Sequence, residues 1–375
     1  MQNLRITILL FLIGGLFSPN LLFAQEAPQV LADIERTYLA KVISVEEGEL
    51  KTVPNTNTEA LYQNVTVKFL KGNKSGTQVS ISDSSFPLEV GDKVYVRYIQ
   101  TSDGAEYYSI SEPYRLPQLF FLLVAFIVAV LIFGGKQGFL ALLALFISFG
   151  VIFKILFPQI LEGTNIIYTA TTGALLSLFV VMYLTHGFKR LTTAAFLGCA
   201  LSVIATLLLA KYAISITSLT GFSEEESVYL NIATKGNLDF VALLVAGMII
   251  GVIGVLDDVA ITQASVVNEL RKANKNITRR ELYTKALRVG KDHMGAVINT
   301  LILAYTGASL PLVLLLYTVD TPILELINRE VIAIEIVRSI VGSFGLLLAV
   351  PLTTIIAVFL MHNKEVEVSS HTHHH

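Results

Sequence analysis

The sequence predicts a membrane-embedded α-helical bundle of seven spans, preceded by a small extracytoplasmic β-barrel domain of the OB or SH3 type. Hydrophobic residues make up 53% of the 375 residues and charged residues only 15%, whereas soluble chains carry roughly 25% charge. Long apolar runs follow one another from Leu116 onward. Residues 26–113 instead alternate polar and apolar side chains, which is typical of strands with one buried face.

The composition also excludes several classes of protein. A soluble globule could not bury so much apolar surface, which argues against a disordered chain and an ordinary cytosolic enzyme. The net charge of −2 lacks the basic excess of a nucleic-acid-binding domain, so no nucleic-acid partner is expected. The one cysteine, Cys199, excludes an intramolecular disulfide and a cysteine-cluster metal site. We predict no cofactor, no metal and no enzymatic activity.

Residues 1–24 have the anatomy of a secretory signal. Arg5 supplies the positive charge, residues 6–15 form the apolar core, and Ala24 ends a cleavage site. The alternative is an uncleaved first transmembrane helix. The apolar run is shorter than the roughly 20 residues that a span needs, which favours cleavage.

Residues 25–115 are predicted to form the extracytoplasmic β-domain. Five segments alternate polar and apolar residues, at 38–45, 65–69, 79–82, 93–98 and 107–111, and turn residues separate them. Five short strands in so few residues predict a small barrel. The segment shows no nucleophile, ligand cluster or phosphate loop, so we expect a packing or docking module.

Residues 116–363 are predicted to form the transmembrane domain. The seven apolar runs lie at 117–134, 138–157, 166–185, 192–212, 240–262, 293–316 and 336–360. Each is long enough to cross a hydrocarbon core of roughly 30 Å as a helix. Residues 364–375 form a cytoplasmic tail whose histidines resemble a metal-binding tract or a cloning remnant, and we assign it no function.

The charges of the connecting loops set the orientation. Basic residues dominate one set of loops, at Lys136, Lys189, Arg190, eight positions within 271–291, and Lys364. Acidic residues dominate the alternate set, at Glu162, Glu224, Glu225, Glu226, Asp320, Glu325 and Glu330. The positive-inside rule places the basic loops and the C-terminus in the cytoplasm. The β-domain is then outside a cytoplasmic membrane, as the signal segment also requires.

The fifth predicted span carries two adjacent acids, Asp257 and Asp258, inside its apolar run. A charged side chain in the bilayer is costly, so such residues usually face protein or water and are functional. At about 100° per residue, Asp258 shares a face with a glycine stripe, and Asp257 lies about 100° further round. That stripe, Gly247, Gly251 and Gly254, predicts a close-packing face. The alternative is that Asp258 lies near the inner interface and caps a following helix.

Polar residues on neighbouring turns could accompany these acids. Thr262 and Gln263 follow on the same span, and Asn299 and Thr300 lie in the sixth. These four residues are predicted to line an ion path beside Asp257 and Asp258, or else to make ordinary interhelical hydrogen bonds. Glu335 and Arg338, at i,i+3 spacing in the seventh span, predict a structural ion pair.

The segment 268–291 carries eight basic residues and two acids. The pattern from Thr278 to Glu281 is a capping box, which predicts that a helix starts there. One interpretation is an amphipathic helix lying on the anionic inner leaflet. The other interpretation, which we favour, is that the basic charges simply keep this loop on the cytoplasmic side of the membrane.

Several motifs together resemble the YibE/F family of membrane proteins. They include Gly251 to Asp258, Asn299 to Leu301, and the run from Tyr305 to Pro311, and the resemblance extends from about Asn64 to Leu360. Residues about 240–316 are also weakly similar to the fourth and fifth spans of the SecD and SecF export subunits. In their superfamily a membrane aspartate takes part in proton- or sodium-coupled movement. That similarity implies a coupling role for Asp257 or Asp258. The seven spans and the placement of the external domain depart from the pattern.

Two function hypotheses follow. The first is an ion-coupled transporter or export-associated motor in which Asp258, helped by Asp257, accepts a proton or holds a cation. The second is a non-transporting scaffold whose β-domain binds an external partner. An intramembrane aspartyl protease would need two aspartates on different helices, which this pattern lacks. Besides the lipid bilayer, we expect an unknown small-molecule, ion or protein substrate. A homodimer or paralogue heterodimer is also expected, because the seven spans show no inverted repeat.

Overall fold

The computed structural model describes residues 34–52, 59–83, 86–223 and 225–362. The predicted signal peptide and cytoplasmic tail lie outside these residues. The described residues divide into two compact units, one that ends at Ile132 and one that begins at Phe133. Each unit is described by itself below.

The first unit contains a five-stranded antiparallel sheet. Its strands are β1 (Ile34–Thr52), β2 (Glu59–Phe69), β3 (Gln78–Asp83), β4 (Lys93–Gln100) and β5 (Glu106–Pro113). They are ordered β3-β2-β1-β4-β5, and the long β1 pairs with both β2 and β4. β3 also lies close to β5, so the sheet curls into a half-barrel. All five predicted strands are present, and the OB or SH3 type stays a prediction.

The period-two pattern has the expected physical origin. Alternate residues of the central strands, such as Val65 and Val67 on β2 and Val94 and Val96 on β4, are fully buried in one core. The intervening residues face outward, because successive side chains of a strand point to opposite faces.

The rest of the described chain is helical. The helices are α1 (Leu116–Val151), α2 (Phe157–Leu161), α3 (Ile166–His186), α4 (Arg190–Thr217), α5 (Glu225–Ala233), α6 (Phe240–Ala273), α7 (Arg279–Ala308), α8 (Leu310–Tyr317), α9 (Ile323–Asn328) and α10 (Glu330–His362). A π-helical turn, Ile152–Leu156, joins α1 to α2. The helices predicted at 166–185, 192–212, 240–262 and 336–360 correspond to α3, α4, α6 and α10.

By length and composition, the described residues contain five helices able to cross a membrane, or six if one bent pair forms a single span. Seven spans were predicted. The first two predicted spans form one 46-residue helical run, Leu116–Leu161. Its helical geometry breaks at Gly135, whose φ of 50° and ψ of −132° suit glycine. The seventh span therefore depends on Gly135 dividing this run, and it stays a prediction.

The predicted sixth span is broken rather than straight. α7 ends at Ala308, and α8 continues at an angle of 66°. Pro311 lies in the first turn of α8, where its missing N–H is tolerated, whereas inside a continuous helix it would remove a hydrogen bond. The proline thus explains why the chain begins a new helix here.

The basic segment does not form a separate surface helix. The capping box is present, because Thr278 Oγ1 accepts a hydrogen bond of 3.2 Å from the Glu281 amide. The helix that begins there, α7, continues through residue 308. Its first turns bury Leu282 and Ala286 in the core of the bundle, so their apolar face packs against protein.

The centre of the bundle is formed by α4, α6 and α10. Small buried residues recur every four positions on α4, at Ala194, Gly198, Ser202, Thr206 and Ala210. A matching series on α10 comprises Gly345, Ala349, Thr353 and Ala357, whose three non-glycine members are fully buried. Small residues at this spacing let helix backbones approach closely in membranes. The sequence analysis missed both stripes, although their spacing is a readable signal.

Candidate functional site: a cavity beside Asp257

Asp257 lines a cavity of ≈ 550 Å³ between α1, α3 and α6. The helix that carries it is 34 residues long, and Asp257 is near its middle, about 26 Å from its first residue at 1.5 Å per residue. Its side chain is half-buried. The cavity walls are mostly apolar, with polar groups at Gln137, Ser148, Ser177, Thr185 and His186.

Each of the three helices contributes one face to this cavity. On α3 the lining residues run from Gly173 to His186 at helical spacing, a distance of about 20 Å along the axis. Two lining residues, Ile152 and Leu156, belong to the π-helical turn. Such turns often occur at functional sites, because they shift the helix face that they present.

Only some of the polar groups in the cavity form hydrogen bonds with other protein atoms. Gln137 Nε2 donates a hydrogen bond of 3.3 Å to the Thr185 carbonyl oxygen and so ties α1 to α3. Ser148 Oγ is buried and has no hydrogen-bond partner within the described ranges. A buried hydroxyl without a protein partner offers a hydrogen-bonding site to a small polar species such as water. The cavity can therefore hold a small polar species near a carboxylate.

Asp258 lies outside the cavity lining, whereas the glycine stripe is divided: Gly254 lines the Asp257 cavity, and Gly247 and Gly251 do not. Asp258 and Thr262 are exposed. A Cβ added to Gly247 or Gly254 would meet no atom within 4 Å, whereas one on Gly251 would lie 2.8 Å from Tyr305 Oη. The packing predicted for this stripe is therefore formed within the described chain at Gly251 alone. Since neighbours decide which side of a helix is covered, the sequence could not settle this.

Gln263 is buried in a hydrogen-bond network that joins three helices. Its Nε2 donates to the Ala286 carbonyl oxygen at 3.0 Å and to Thr354 Oγ1 at 2.7 Å. Thr354 Oγ1 in turn donates to the Val350 carbonyl oxygen at 2.6 Å. These bonds link α6 to α7 and α10. They assign Gln263 a role in holding the bundle together.

The remaining predicted residues lie away from the Asp257 cavity. Asn299 and Thr300 are exposed on α7, and Thr300 Oγ1 donates to the Ala296 carbonyl oxygen of its own helix. Glu335 and Arg338 form an ion pair of 2.5 Å on α10, with side chains 18% and 28% exposed. The structure thus separates the predicted ion-path residues into several places and leaves Asp257 in the cavity.

Cys199 is buried in the bundle. Its Sγ donates a hydrogen bond of 3.2 Å to the Leu256 carbonyl oxygen, so it joins α4 to α6. Over the described ranges, no group of three or more histidine, cysteine, aspartate or glutamate side chains could hold a metal ion.

The β-unit contains a polar cluster that the sequence analysis missed. Lys74 Nζ, from the turn between β2 and β3, contacts Glu106 Oε2 at 2.8 Å and Tyr108 Oη at 2.6 Å. Tyr98 Oη donates to the other carboxylate oxygen at 2.8 Å. The hydrogen bonds from Lys74, Tyr108 and Tyr98 lower the pKa of Glu106 to about 2. The cluster joins the β2–β3 turn to the β4–β5 hairpin, contacts too distant in sequence for a pattern to reveal.

Comparison with known proteins identifies the family. The sequence profile described as YibE/F-like protein matches residues 122–363, which is well over half of the chain and includes the helices around the cavity. No curated protein and no solved structure matches. The weaker resemblance to SecD and SecF finds no counterpart in these comparisons. The extent of the profile match confirms the predicted family: this chain belongs to the YibE/F-like proteins.

Proposed function

We propose that this protein is an ion-coupled membrane protein, a transporter or an export-associated motor, in which Asp257 is the acid that accepts a proton or holds a cation. The observation that carries the proposal is the carboxylate of Asp257 in a cavity between three apolar helices. An ionisable residue inside a membrane span is costly and is functional by default. No enzymatic activity is proposed.

Asp257 takes the central role that the sequence analysis assigned first to Asp258. Asp257 lines the cavity, whereas Asp258 is exposed on the neighbouring face. A carboxylate in this cavity is an ion acceptor only when deprotonated, and its charge is costly among apolar walls. Binding a proton or cation therefore changes the free energy of helix packing around it, which is how ion binding could drive movement.

The cavity forms one part of the proposed ion path. It reaches Gln137, just after the break of α1 at Gly135, and His186 at the end of α3, next to the basic residues Lys136 and Lys189. The positive-inside rule places this end in the cytoplasm. We propose the seven-span topology in the cytoplasmic membrane, with the β-domain outside and the C-terminus inside. Asp257 would then exchange ions with the cytoplasm.

A second chain would complete the exposed face of α6. Asp258 and Thr262 on α6, and Asn299 on α7, are exposed within membrane-spanning helices. Lipid cannot satisfy such groups, which normally face protein or water. A homodimer or paralogue heterodimer would cover them and pack against the open Gly247.

Proton flux in proteoliposomes under an imposed membrane potential tests the central residue. We expect flux in the wild type and loss to background in Asp257→Asn, which keeps the size of the side chain but cannot be charged. Asp258→Asn is the matched control, and we expect it to retain most of the flux.

Equal flux in Asp257→Asn and wild type would overturn the assignment. Loss in Asp258→Asn alone would return the role to Asp258. If wild type shows no flux and both variants retain biological function, a scaffold whose β-domain binds an external partner becomes the better description.

A further inference from the structure

A second cavity, of ≈ 440 Å³, lies between α7, α8 and α10. It occupies the half of α10 that begins at Glu330, whereas the Asp257 cavity reaches the last residue of α3, His186. No predicted function used this cavity, although Glu335 belongs to its lining.

A column of polar side chains follows one face of α10 into this cavity. Glu335, Ser339 and Ser343 are spaced by four residues and all line it, so the column covers about 12 Å of the helix. Ser343 Oγ is buried and has no hydrogen-bond partner among the residues that the structure describes. At the other end of the column, Glu335 is paired with Arg338. The remaining walls of the cavity are mostly apolar, for example at Ile336, Ile340 and Phe344, so the unpartnered hydroxyl and the polar column mark the side along which water would bind.

The opposite wall of the cavity is the broken span. Tyr305 and Thr306 of α7, Ser309 at the bend and Val313 of α8 all line it. Irregular backbone at membrane depth is tolerated where it lines a water-filled cavity or is buried in protein, because its polar groups need partners. The bend of 66° therefore fits a position beside this cavity.

Tyr305 connects this cavity to the helix of Asp257. A Cβ on Gly251 would lie 2.8 Å from Tyr305 Oη, so the hydroxyl reaches the surface of α6. Gly254, about 4.5 Å further along the helix axis, lines the Asp257 cavity. Since neither glycine has a side chain, no side chain of α6 stands on this face between Tyr305 and the Asp257 cavity.

We propose that the cavity between α7, α8 and α10 is a water-filled vestibule, and that it forms the outer half of the ion path to Asp257. It admits protons or small hydrated cations past Glu335, along Ser339 and Ser343, and across the glycine surface of α6 at Tyr305. This inference rests on the proposed function for its role in ion movement. The presence of water in the vestibule can be tested separately.

Thiol accessibility tests the vestibule. In the full-length Cys199→Ala protein, Ser343→Cys and Ser339→Cys place single thiols in the cavity with little change of volume. A charged, membrane-impermeant methanethiosulfonate reagent reacts with thiolates that meet water. Leu303→Cys is the matched control, because Leu303 is 70% exposed on α7 but does not line the cavity. We expect Ser343→Cys to react at least tenfold faster than Leu303→Cys, and equal rates or no reaction at Ser343→Cys would overturn the vestibule.

Flux then tests the path. We expect modification of Ser343→Cys to reduce proton flux in proteoliposomes at least tenfold, because the added group fills the vestibule. Unchanged flux after complete modification would overturn the connection to Asp257. If the wild type carries no flux while Ser343→Cys reacts, the proposed function and the path fail together and the hydrated cavity stands. An unreactive Ser343→Cys in a protein that carries flux refutes the vestibule alone.

Discussion

The close crossing of α4 and α10 at Gly198 allows a direct test of how the helices of the bundle pack. A Cβ on Gly198 would lie 2.8 Å from Thr353 Cα and 2.9 Å from Thr353 Cβ. A rotamer change cannot relieve a contact with a backbone atom, so the two helices must move apart. Gly198→Ala is therefore expected to disturb the helix pair at the centre of the bundle.

Two opposing effects determine the size of this change. Replacing glycine by alanine inside a helix favours the helix by up to about 1 kcal/mol. Overpacking a close-packed interior costs about 1–3 kcal/mol. Since the approach is to backbone, we take the upper part of that range and expect a net loss of about 1–2 kcal/mol. Gly295 on α7 supplies the control, because a Cβ there would meet no atom within 4 Å.

Thermal unfolding in detergent is the assay, with both variants purified in the same way. We expect Gly198→Ala to unfold at a lower temperature than wild type and Gly295→Ala at the same or a higher temperature. Adding Thr353→Ala to Gly198→Ala should restore part of the loss, because it removes the Oγ1 atom nearest to the new methyl group. If Gly198→Ala unfolds at or above the temperature of Gly295→Ala, the close crossing is refuted.

Three further predictions concern other parts of the chain. Gln263→Leu should lose about 1–3 kcal/mol of stability in the same assay, because it leaves its buried partners unsatisfied, whereas Thr262→Val on the exposed face should change little. In the β-unit, Glu106 has a folded pKa of about 2 against an ordinary value of 4.5. Its contribution to stability is therefore complete above about pH 4.5 and is lost as the pH falls toward 2. Hydrogen exchange of residues 71–77 in the full chain should show this loss in wild type and not in Glu106→Gln; identical pH profiles would contradict the cluster. Light scattering in detergent should give at least twice the mass of one chain, and a monomer at all concentrations would argue against the proposed dimer.

Local patterns in the sequence were sufficient to predict many elements of this protein. Residues close in sequence decide the alternation of β1 to β5, the presence of the apolar helices α3, α4, α6 and α10, and the cap at Thr278. The ion pair of Glu335 and Arg338 also depends only on i,i+3 spacing. Motifs that lie within one stretch of chain likewise pointed to the family, which the profile match then confirmed.

The tertiary structure decided which face of each helix is covered. Asp257 and Asp258 are adjacent in sequence, but about 100° of helix rotation separates them, so only the positions of α1 and α3 place Asp257 in the cavity. The glycine stripe of α6 was expected to pack, yet it is largely open, while the stripe containing Gly198 makes the closest helix contact. A sequence fixes the angular spacing of side chains around a helix, whereas neighbours distant in sequence determine what each side chain meets.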